Sequence, residues 1–414
     1  MTVLISGAGI GGLSLGLSLH QLGIPFRIFE AVSELRPLGV GINLQPHAVR
    51  ELFALGLEPQ LDAIGLRTQE LAYYSRQGQL IWSEPRGIGA GYKWPQFSLH
   101  RGGLQMALYD AVIARCGAGV IETGSAVTGW HTHPNGVEVT LTERNTGRAL
   151  GTAQGSVLII AEGINSKGRA KLYPEEGAAH WGGTMMWRGV TRAPRFLTDA
   201  SVTMTGRRDL KFVAYPIEDA GEGALINWIA DLKMPKDYDW RRQDWNRQGA
   251  RTDFASHFAD WAFDWLDIPS IIETADGIWE YPMVDRNPLD QWTFGPVTLL
   301  GDAAHAMYPI GSNGASQCIL DARHLAAALR NHGMNEDALQ AYEAVRRDKV
   351  NALVLANRGD GPDQILDIVA TRAPDGFEHI NDVMSQAELD AFAKTYKAVA
   401  GMDIEALNGA ASII

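Results

Sequence analysis

Val3-Leu4-Ile5-Ser6-Gly7-Ala8-Gly9-Ile10-Gly11-Gly12 decides the reading of this chain. Thr2 to Ser6 has the apolar character of a short buried strand, and the apolar run to about Leu22 continues as a helix. Between them Gly7, Gly9 and Gly12 stand in G-x-G-x-x-G spacing, with Gly11 in the same turn. In such a turn the first glycine permits the sharp bend and the second lets backbone approach a pyrophosphate. The third allows helix and strand to pack closely. The free N–H groups and the positive end of the helix dipole then receive phosphates. Pro25 to Glu30 reads as a second strand. Glu30 falls 18 residues after Gly12, where a carboxylate accepts the hydroxyls of an adenosine ribose. The unit is therefore a βαβ dinucleotide-binding opening. The stretch is read as strand, turn and helix and not as a signal peptide, because no basic residue stands before the apolar run and His20 and Gln21 interrupt it. The run is also too short and glycine-rich to span a membrane.

The fingerprint does not separate FAD from NAD; a second stretch does. Leu299-Leu300-Gly301-Asp302-Ala303-Ala304-His305 continues to Pro309 and places a carboxylate at the end of a buried strand. The ribityl hydroxyls of FAD use such a group and NAD has no use for it; the rival reading of Asp302 is a helix N-cap. Gly311, Asn313, Gly314 and Ala315 then open a helix whose N–H groups would face the flavin N1 and C2 carbonyl, where negative charge gathers on reduction. Pro309 falls on the flavin side of a substrate pocket. His305 reads as a structural histidine beside the cofactor rather than a catalytic one.

Outward from these anchors the chain divides. Pro46 to Leu55 and Arg101 to just before Gly117 read as helices, and Leu71 to Tyr74 with Leu80 to Trp82 as a hairpin turning near Gln77-Gly78. Val137 to Thr142 alternates as a strand. Met185 to Val190, Ser201 to Met204, Lys211 to Pro216, Leu225 to Ala230 and Ile278 to Met283 predict a second, sheet-rich region. Asp253 to Trp265 is expected as an amphipathic helix inside it. Strand alternation puts Met204 and Phe212 in the substrate pocket, with plain core packing as the alternative. Many of the 12 tryptophans lie between Trp181 and Trp292, which suits a pocket for a flat ligand or an aromatic core. Ser385 to Glu388 fits a capping box, followed by Leu389, Phe392, Tyr396 and Val399 at helical spacing and Gly401 as a stop.

A length of 414 residues favours more than one core, and 46% hydrophobic with 20% charged residues is the balance of a globular enzyme. The net charge of −12 argues against a nucleic-acid or anionic-lipid surface. Cys116 and Cys318 cannot build a disulfide framework or a metal cluster, which fits the cytoplasm; Cys318 reads as a small buried hydrophobe on a helix. Gly87-Ile88-Gly89-Ala90-Gly91 is rejected as a second nucleotide fingerprint because it follows no strand and opens no helix.

With the glycine fingerprint and Gly301-Asp302 before Pro309, the chain resembles the class A FAD-dependent aromatic hydroxylases, the para-hydroxybenzoate hydroxylase group, from residue 1 to about 357. Arg36-Pro37-Leu38-Gly39-Val40-Gly41-Ile42-Asn43, Trp82-Ser83-Glu84-Pro85-Arg86-Gly87, Met186-Trp187-Arg188-Gly189-Val190 and Tyr281-Pro282-Met283-Val284-Asp285-Arg286 resemble the members that act on 5-methylphenazine-1-carboxylate. The resemblance implies that Arg101 and Gln105 bond the phosphate and ribityl region of FAD. It implies that the Val127 backbone meets adenine and that Gly41-Ile42 passes the flavin ring. The family's Asp-Gly motif reads here Glu162-Gly163-Ile164-Asn165-Ser166-Lys167-Gly168-Arg169, one methylene longer at its acid.

The expected fold is α/β: a Rossmann-type FAD-binding domain (1–66, 99–176, 288–357) interleaved with a sheet-based substrate domain (67–98, 177–287), then C-terminal helices (358–414). The expected enzyme holds FAD non-covalently and takes NADH or NADPH and O2 as co-substrates. It hydroxylates an aromatic or N-heteroaromatic substrate, with or without decarboxylation, through a C4a-hydroperoxyflavin. The rivals are an FAD oxidase or dehydrogenase without oxygen insertion and a protein that holds flavin without turnover. No metal, nucleic acid or membrane segment is expected, and the protein is read as a monomer or homodimer.

Overall fold

The computed structural model describes residues 1–414 except 38, 241–246, 360, 362 and 392–401. Strand β1 (Val3–Ser6) is buried along its whole length and pairs in parallel with β2 (Phe26–Glu30) on one side and Val157–Ile160 on the other. A strand covered on both faces needs an unbroken apolar run, which Val3-Leu4-Ile5 supplies. The six-stranded sheet runs Thr293–Phe294, Val297–Leu299, Val157–Ile160, β1, β2, Ile121–Thr123. All neighbours are parallel except the two-residue edge strand Thr293–Phe294. Helix α1 (Ile10–Gln21) packs against the helices Arg101–Cys116 and Gly314–His332, which leaves its residues from Ile10 to Leu19 buried. Gly16 lets the helix lie close to β2, since an added Cβ would lie 3.0 Å from the Phe26 ring and push it aside.

The second sheet has seven strands in the order Gly277–Asp285, His180–Ala193, Gly223–Lys233, Leu210–Ala220, Ser201–Arg207, Glu70–Tyr74, Leu80–Pro85. Its hairpin turns at Gly78, whose φ of 77° suits glycine. Period-two alternation gives this sheet two different faces. Trp187, Phe212 and Trp228 join Phe254, Phe258 and Trp261 in an aromatic core on one face. Met186, Met204, Val213 and Ile229 belong to the other. The sequence expectation for Phe212 is therefore corrected. It stacks on Trp228 at 5.8 Å and meets Phe258 edge-on, and its neighbours Lys211 and Val213 line the cavity instead. A shift of one residue along a strand exchanges the faces.

Three further expectations change. Asp253 to Trp265 is no α-helix. It forms the short 3-10 turns Arg251–Asp253 and Ala255–Phe258, then a small antiparallel pair, Ala262–Phe263 with Leu266–Asp267. Phe254, Phe258 and Trp261 are sunk into the sheet's aromatic face, and that burial overrides their helical spacing. Gly87–Ala90 does follow a strand, Leu80–Pro85, but makes only a 3-10 turn. Cys318 is half-buried rather than enclosed.

The tail folds back over the body. Helix Gln364–Arg372 sets Ile365, Leu366 and Val369 into the cluster containing Met204 and Val213. Ser385 and Glu388 form the expected capping box, with Ser385 N donating to Glu388 at 2.8 Å, and Leu389 is buried. Phe392, Tyr396, Val399 and Gly401 lie outside the described residues. Tyr92 donates to the Met402 carbonyl, and Ser412 donates to the buried carboxylate of Glu51 at 2.9 Å. No described helix is long and apolar enough to cross a membrane.

Candidate active site

The two sheets face each other across a cavity of about 660 Å³. At one end stands the glycine fingerprint, and the structure separates the work of its glycines. Gly7 has φ 107°, and a Cβ there would strike the Ala161 carbonyl oxygen at 2.5 Å. At Gly12 a Cβ would lie 2.0 Å from the Gly7 oxygen, and at Gly11 2.5 Å from Cys318 Sγ. Gly9 differs: nothing lies within 4 Å of its added Cβ, and it lines the cavity. Packing explains the other three, whereas the open space over Gly9 is where a ligand's backbone approach falls. Gly9 is also the N-cap of α1 and supplies no side-chain cap, so the first N–H groups of the helix remain available.

Glu30, at the end of β2, accepts from Ala8 N at 2.7 Å and Val32 N at 2.9 Å, one bond to each oxygen. These bonds fix the carboxylate against the fingerprint, and each oxygen keeps acceptor capacity toward the cavity. Gln105 donates to the Ala8 carbonyl at 2.9 Å, which ties its helix to the same turn. Arg101 and Val127 line the cavity with it.

Glu162 lines the cavity but is engaged within the protein. Ser6 Oγ, Ser166 Oγ and Gly168 N donate to it at 2.5, 2.8 and 2.9 Å. The longer side chain folds back to cap the helix Lys167–Leu172 and to anchor the end of β1. Beyond it Asp302 is exposed to the cavity, and no hydrogen bond or ion pair joins its carboxylate to a described residue. Its N-cap rival fails, because the cap of that short helix is Gly301, with φ 64°. Behind the turn, Asp321 accepts from Gly301 N at 3.1 Å, from His305 at 2.5 Å and from Arg346 at 2.7 Å. Those partners hold the Asp321 carboxyl below its usual range although burial opposes them. His305 is fully buried in this network and serves structure, as its sequence context suggests.

Gly314 and Ala315 line the cavity at the start of Gly314–His332, a helix without a side-chain cap. Gly12, Gly311 and Asn313 do not line it; they stand behind and shape it. Gly311 takes φ 73°, and Asn313 donates to its carbonyl at 3.1 Å. Gly41 and Ile42 line the cavity on the strand Gly41–Leu44. Gly41 is fastened to the second sheet twice, its N–H to Asn227 at 2.6 Å and its carbonyl to Arg188 at 2.9 Å.

At the other end the cavity meets the second sheet. Met204 and Pro309 line it as expected, with Met186, Val213, Ile229 and Met283. The polar side chains there were not foreseen: Arg188, Tyr215, Lys211, Asp231 and Asp363. A Lys and an Asp within otherwise apolar strands, Leu210-Lys211-Phe212 and Ala230-Asp231-Leu232, were the available signal. Burial pushes the Tyr215 phenol up to about 12 against the pull of Arg188, and burial raises Asp231 against the pull of Lys211.

The donor set fits FAD. The open approach over Gly9, the fixed Glu30, the unpartnered Asp302 and two uncapped helix N-termini lie along one cavity and could hold one extended dinucleotide. Comparison with known proteins agrees. Residues 1–357 match the FAD binding domain family. The phenazine 1,6-dicarboxylic acid hydroxylase PhzS of Lysobacter antibioticus is 44% identical over 86% of this chain and 89% of its own length. The aurachin C monooxygenase/isomerase of Stigmatella aurantiaca is 33% identical over 86% and 87%. Klebsiella pneumoniae HpxO, solved with FAD and uric acid, superposes with a TM-score of 0.72 at 23% identity, covering 99% of this chain and 95% of that one. The chain thus belongs to the FAD binding domain family, and the resemblance to class A aromatic hydroxylases holds. More particularly, it is an FAD enzyme with the α/β fold and C-terminal helices of those hydroxylases.

Proposed function

We propose that this enzyme hydroxylates an aromatic or N-heteroaromatic substrate, consuming NADH or NADPH and O2. One oxygen atom enters the ring and the other leaves as water, while the nicotinamide gives up two electrons. The observation that carries this reading is the continuity of the cavity: the FAD-facing groups Glu30 and Asp302 and the methionine-rich face of the second sheet line one space. The phenazine hydroxylase and the aurachin monooxygenase to which the chain is similar support this reading.

Bound FAD supplies the redox chemistry, taking electrons from NAD(P)H and passing them to O2. The chain supplies binding, orientation and exclusion of water. Glu30, Asp302 and the helix N-termini at Gly9 and Gly314 hold the cofactor; Gly7, Gly11, Gly12, Gly311 and Asn313 set the backbone that presents them. Arg101, Gln105 and the Val127 backbone complete the cofactor wall. Gly41 and Ile42 line the cavity where the ring system would lie. Met186, Met204 and Met283 give flat, adaptable apolar contacts for a ring and keep water away, which favours oxygen transfer over peroxide release. Arg188 offers a cation to a substrate carboxylate. We assign no acid or base. The same reading carries hydroxylation with or without decarboxylation, a cytoplasmic setting and a monomeric or homodimeric state.

The test is a screen of aromatic acids and N-heterocycles for stimulated NAD(P)H oxidation with an oxygenated product. Stimulation with product identifies a monooxygenase. Oxidation that is equal with and without every aromatic compound, with peroxide as the sole product, identifies the oxidase alternative and overturns the proposal.

A further inference from the structure

The substrate end of the cavity holds a charge cluster that the FAD reading does not use. Lys211 and Asp231 face each other in register on adjacent antiparallel strands, with Lys211 Nζ 3.1 Å from Asp231 Oδ2. Asp363 reaches the same ammonium from the C-terminal segment, beyond residue 357 where the family match ends. Exposure is 6% for Lys211 and 3% for each aspartate, and all three line the cavity.

Two features make this more than a structural ion pair. A single lysine stands between two carboxylates, so its charge is used up by the protein and none remains for an anionic ligand. Each aspartate also keeps one oxygen, Oδ1, buried with no hydrogen-bond partner. A buried acceptor without a donor is costly, and these two belong to residues that line the ligand cavity, where a donor on a ligand can reach them. Met204, Val213 and Ile229 around the cluster donate nothing. Among the described residues that line this end, the other cation is Arg188, whose Nε is likewise unpartnered.

We propose that Asp231 and Asp363, braced by Lys211, form an acceptor subsite that binds a hydrogen-bond donor on the aromatic substrate: an amino group, a ring N–H or a hydroxyl. The inference rests on the reading that this cavity takes an aromatic ring. It specifies a substrate with at most one carboxylate, directed to Arg188, and a donor directed to the two aspartates. A second carboxylate at the donor end would meet two aspartates against one lysine, a cluster of net like charge. The proposal thus expects a substrate other than the dicarboxylic acid that the name of the 44%-identical relative specifies. The subsite also gives the C-terminal segment a function, because it closes the cavity with a selecting side chain.

The experiment titrates the FAD-loaded full chain with matched ligands and reads Kd from the flavin absorbance. One series is phenazine-1-carboxylate bearing hydrogen, hydroxyl, amino or carboxylate at position 6. A second series is benzoate with the same four substituents at position 4, for a single-ring substrate. In the wild type the amino or hydroxyl ligand of one series binds at least about tenfold more tightly than the hydrogen ligand, and the dicarboxylate at least about tenfold less tightly. Asp363→Asn and, separately, Asp231→Asn shrink both ratios to about threefold or less and keep the FAD spectrum. Two variants on different elements guard against misfolding of one. Equal binding of the hydrogen, amino and carboxylate ligands by the wild type overturns the subsite and leaves the aromatic reading intact. So does a preference that survives both variants. If no ligand of either series changes the flavin spectrum or NAD(P)H oxidation, the aromatic reading fails and the subsite falls with it.

Discussion

Gly9→Ala and Gly12→Ala should fail in opposite ways, although both remove one glycine from the same turn. Gly9 has φ −76° and ψ −176°, a conformation open to any residue, and its new methyl meets no protein atom within 4 Å. The apoprotein should therefore keep its stability. The methyl would stand where a pyrophosphate must approach backbone N–H groups, so FAD affinity should fall by at least about tenfold, roughly 1.4 kcal/mol. At Gly12 the methyl lands 2.0 Å from the Gly7 oxygen and 3.3 Å from Ile5, so α1 must move off β1. Overpacking of this kind costs about 1–3 kcal/mol. For a chain of 414 residues that lowers the melting temperature of the apoprotein by about 1–4 °C. The assay is differential scanning calorimetry of each apoprotein beside fluorescence titration with FAD. A Gly9→Ala protein that binds FAD like the wild type would show that the phosphates do not cross Gly9. A Gly12→Ala apoprotein with unchanged melting would refute the packing argument.

Three more outcomes are expected. Asp302→Ala should weaken FAD binding about 10- to 100-fold, because a charge-assisted hydrogen bond contributes roughly 1.5–3 kcal/mol; unchanged affinity in the same titration would remove Asp302 from the site. Glu162→Gln should lower thermal stability while FAD affinity shifts less than about tenfold, since its oxygens bond Ser6, Ser166 and Gly168; a larger affinity loss at unchanged stability would point to direct FAD contact. His47 is held down to about 3 from 6.5 by burial, and then by Arg346 and Arg50. The unfolded chain takes up this proton below its ordinary pKa and the folded chain does not, so stability falls as pH drops from 6.5 toward 3. By about pH 5 roughly 2 kcal/mol is lost, which urea denaturation of wild type against His47→Gln measures as a shallower acid slope in the variant.

The cofactor half of this protein was legible because its chemistry depends on local sequence. Gly7 to Gly12, Glu30 and Gly301-Asp302 each lie at a strand end, and the strand fixes where the residue points before any tertiary contact forms. Helix bounds such as Arg101 to Cys116 were legible for the same reason, through Gly117. The substrate half was less so. Alternation announces that a strand has two faces but not which one meets the ligand, and Phe212 shows the result. The cluster of Phe254, Phe258 and Trp261 keeps helical spacing while the sheet above dictates turns. Lys211, Asp231 and Asp363 come together from distant parts of the chain, so only the strand register and the returning tail reveal them. Glu162 was visible as a departure from the family acid, but its bonds to Ser6 and Gly168 needed coordinates.

The central claim is that one cavity unites FAD with an aromatic ring for oxygen insertion, and labelled oxygen tests it most directly. The FAD-loaded enzyme, NAD(P)H and an aromatic compound that stimulates turnover should be incubated under 18O2, and the product weighed by mass spectrometry. One 18O atom is expected in each hydroxylated product, with none taken from labelled water in the converse experiment. A product whose oxygen comes from water, or labelled hydrogen peroxide with the aromatic compound returned unchanged, would contradict it.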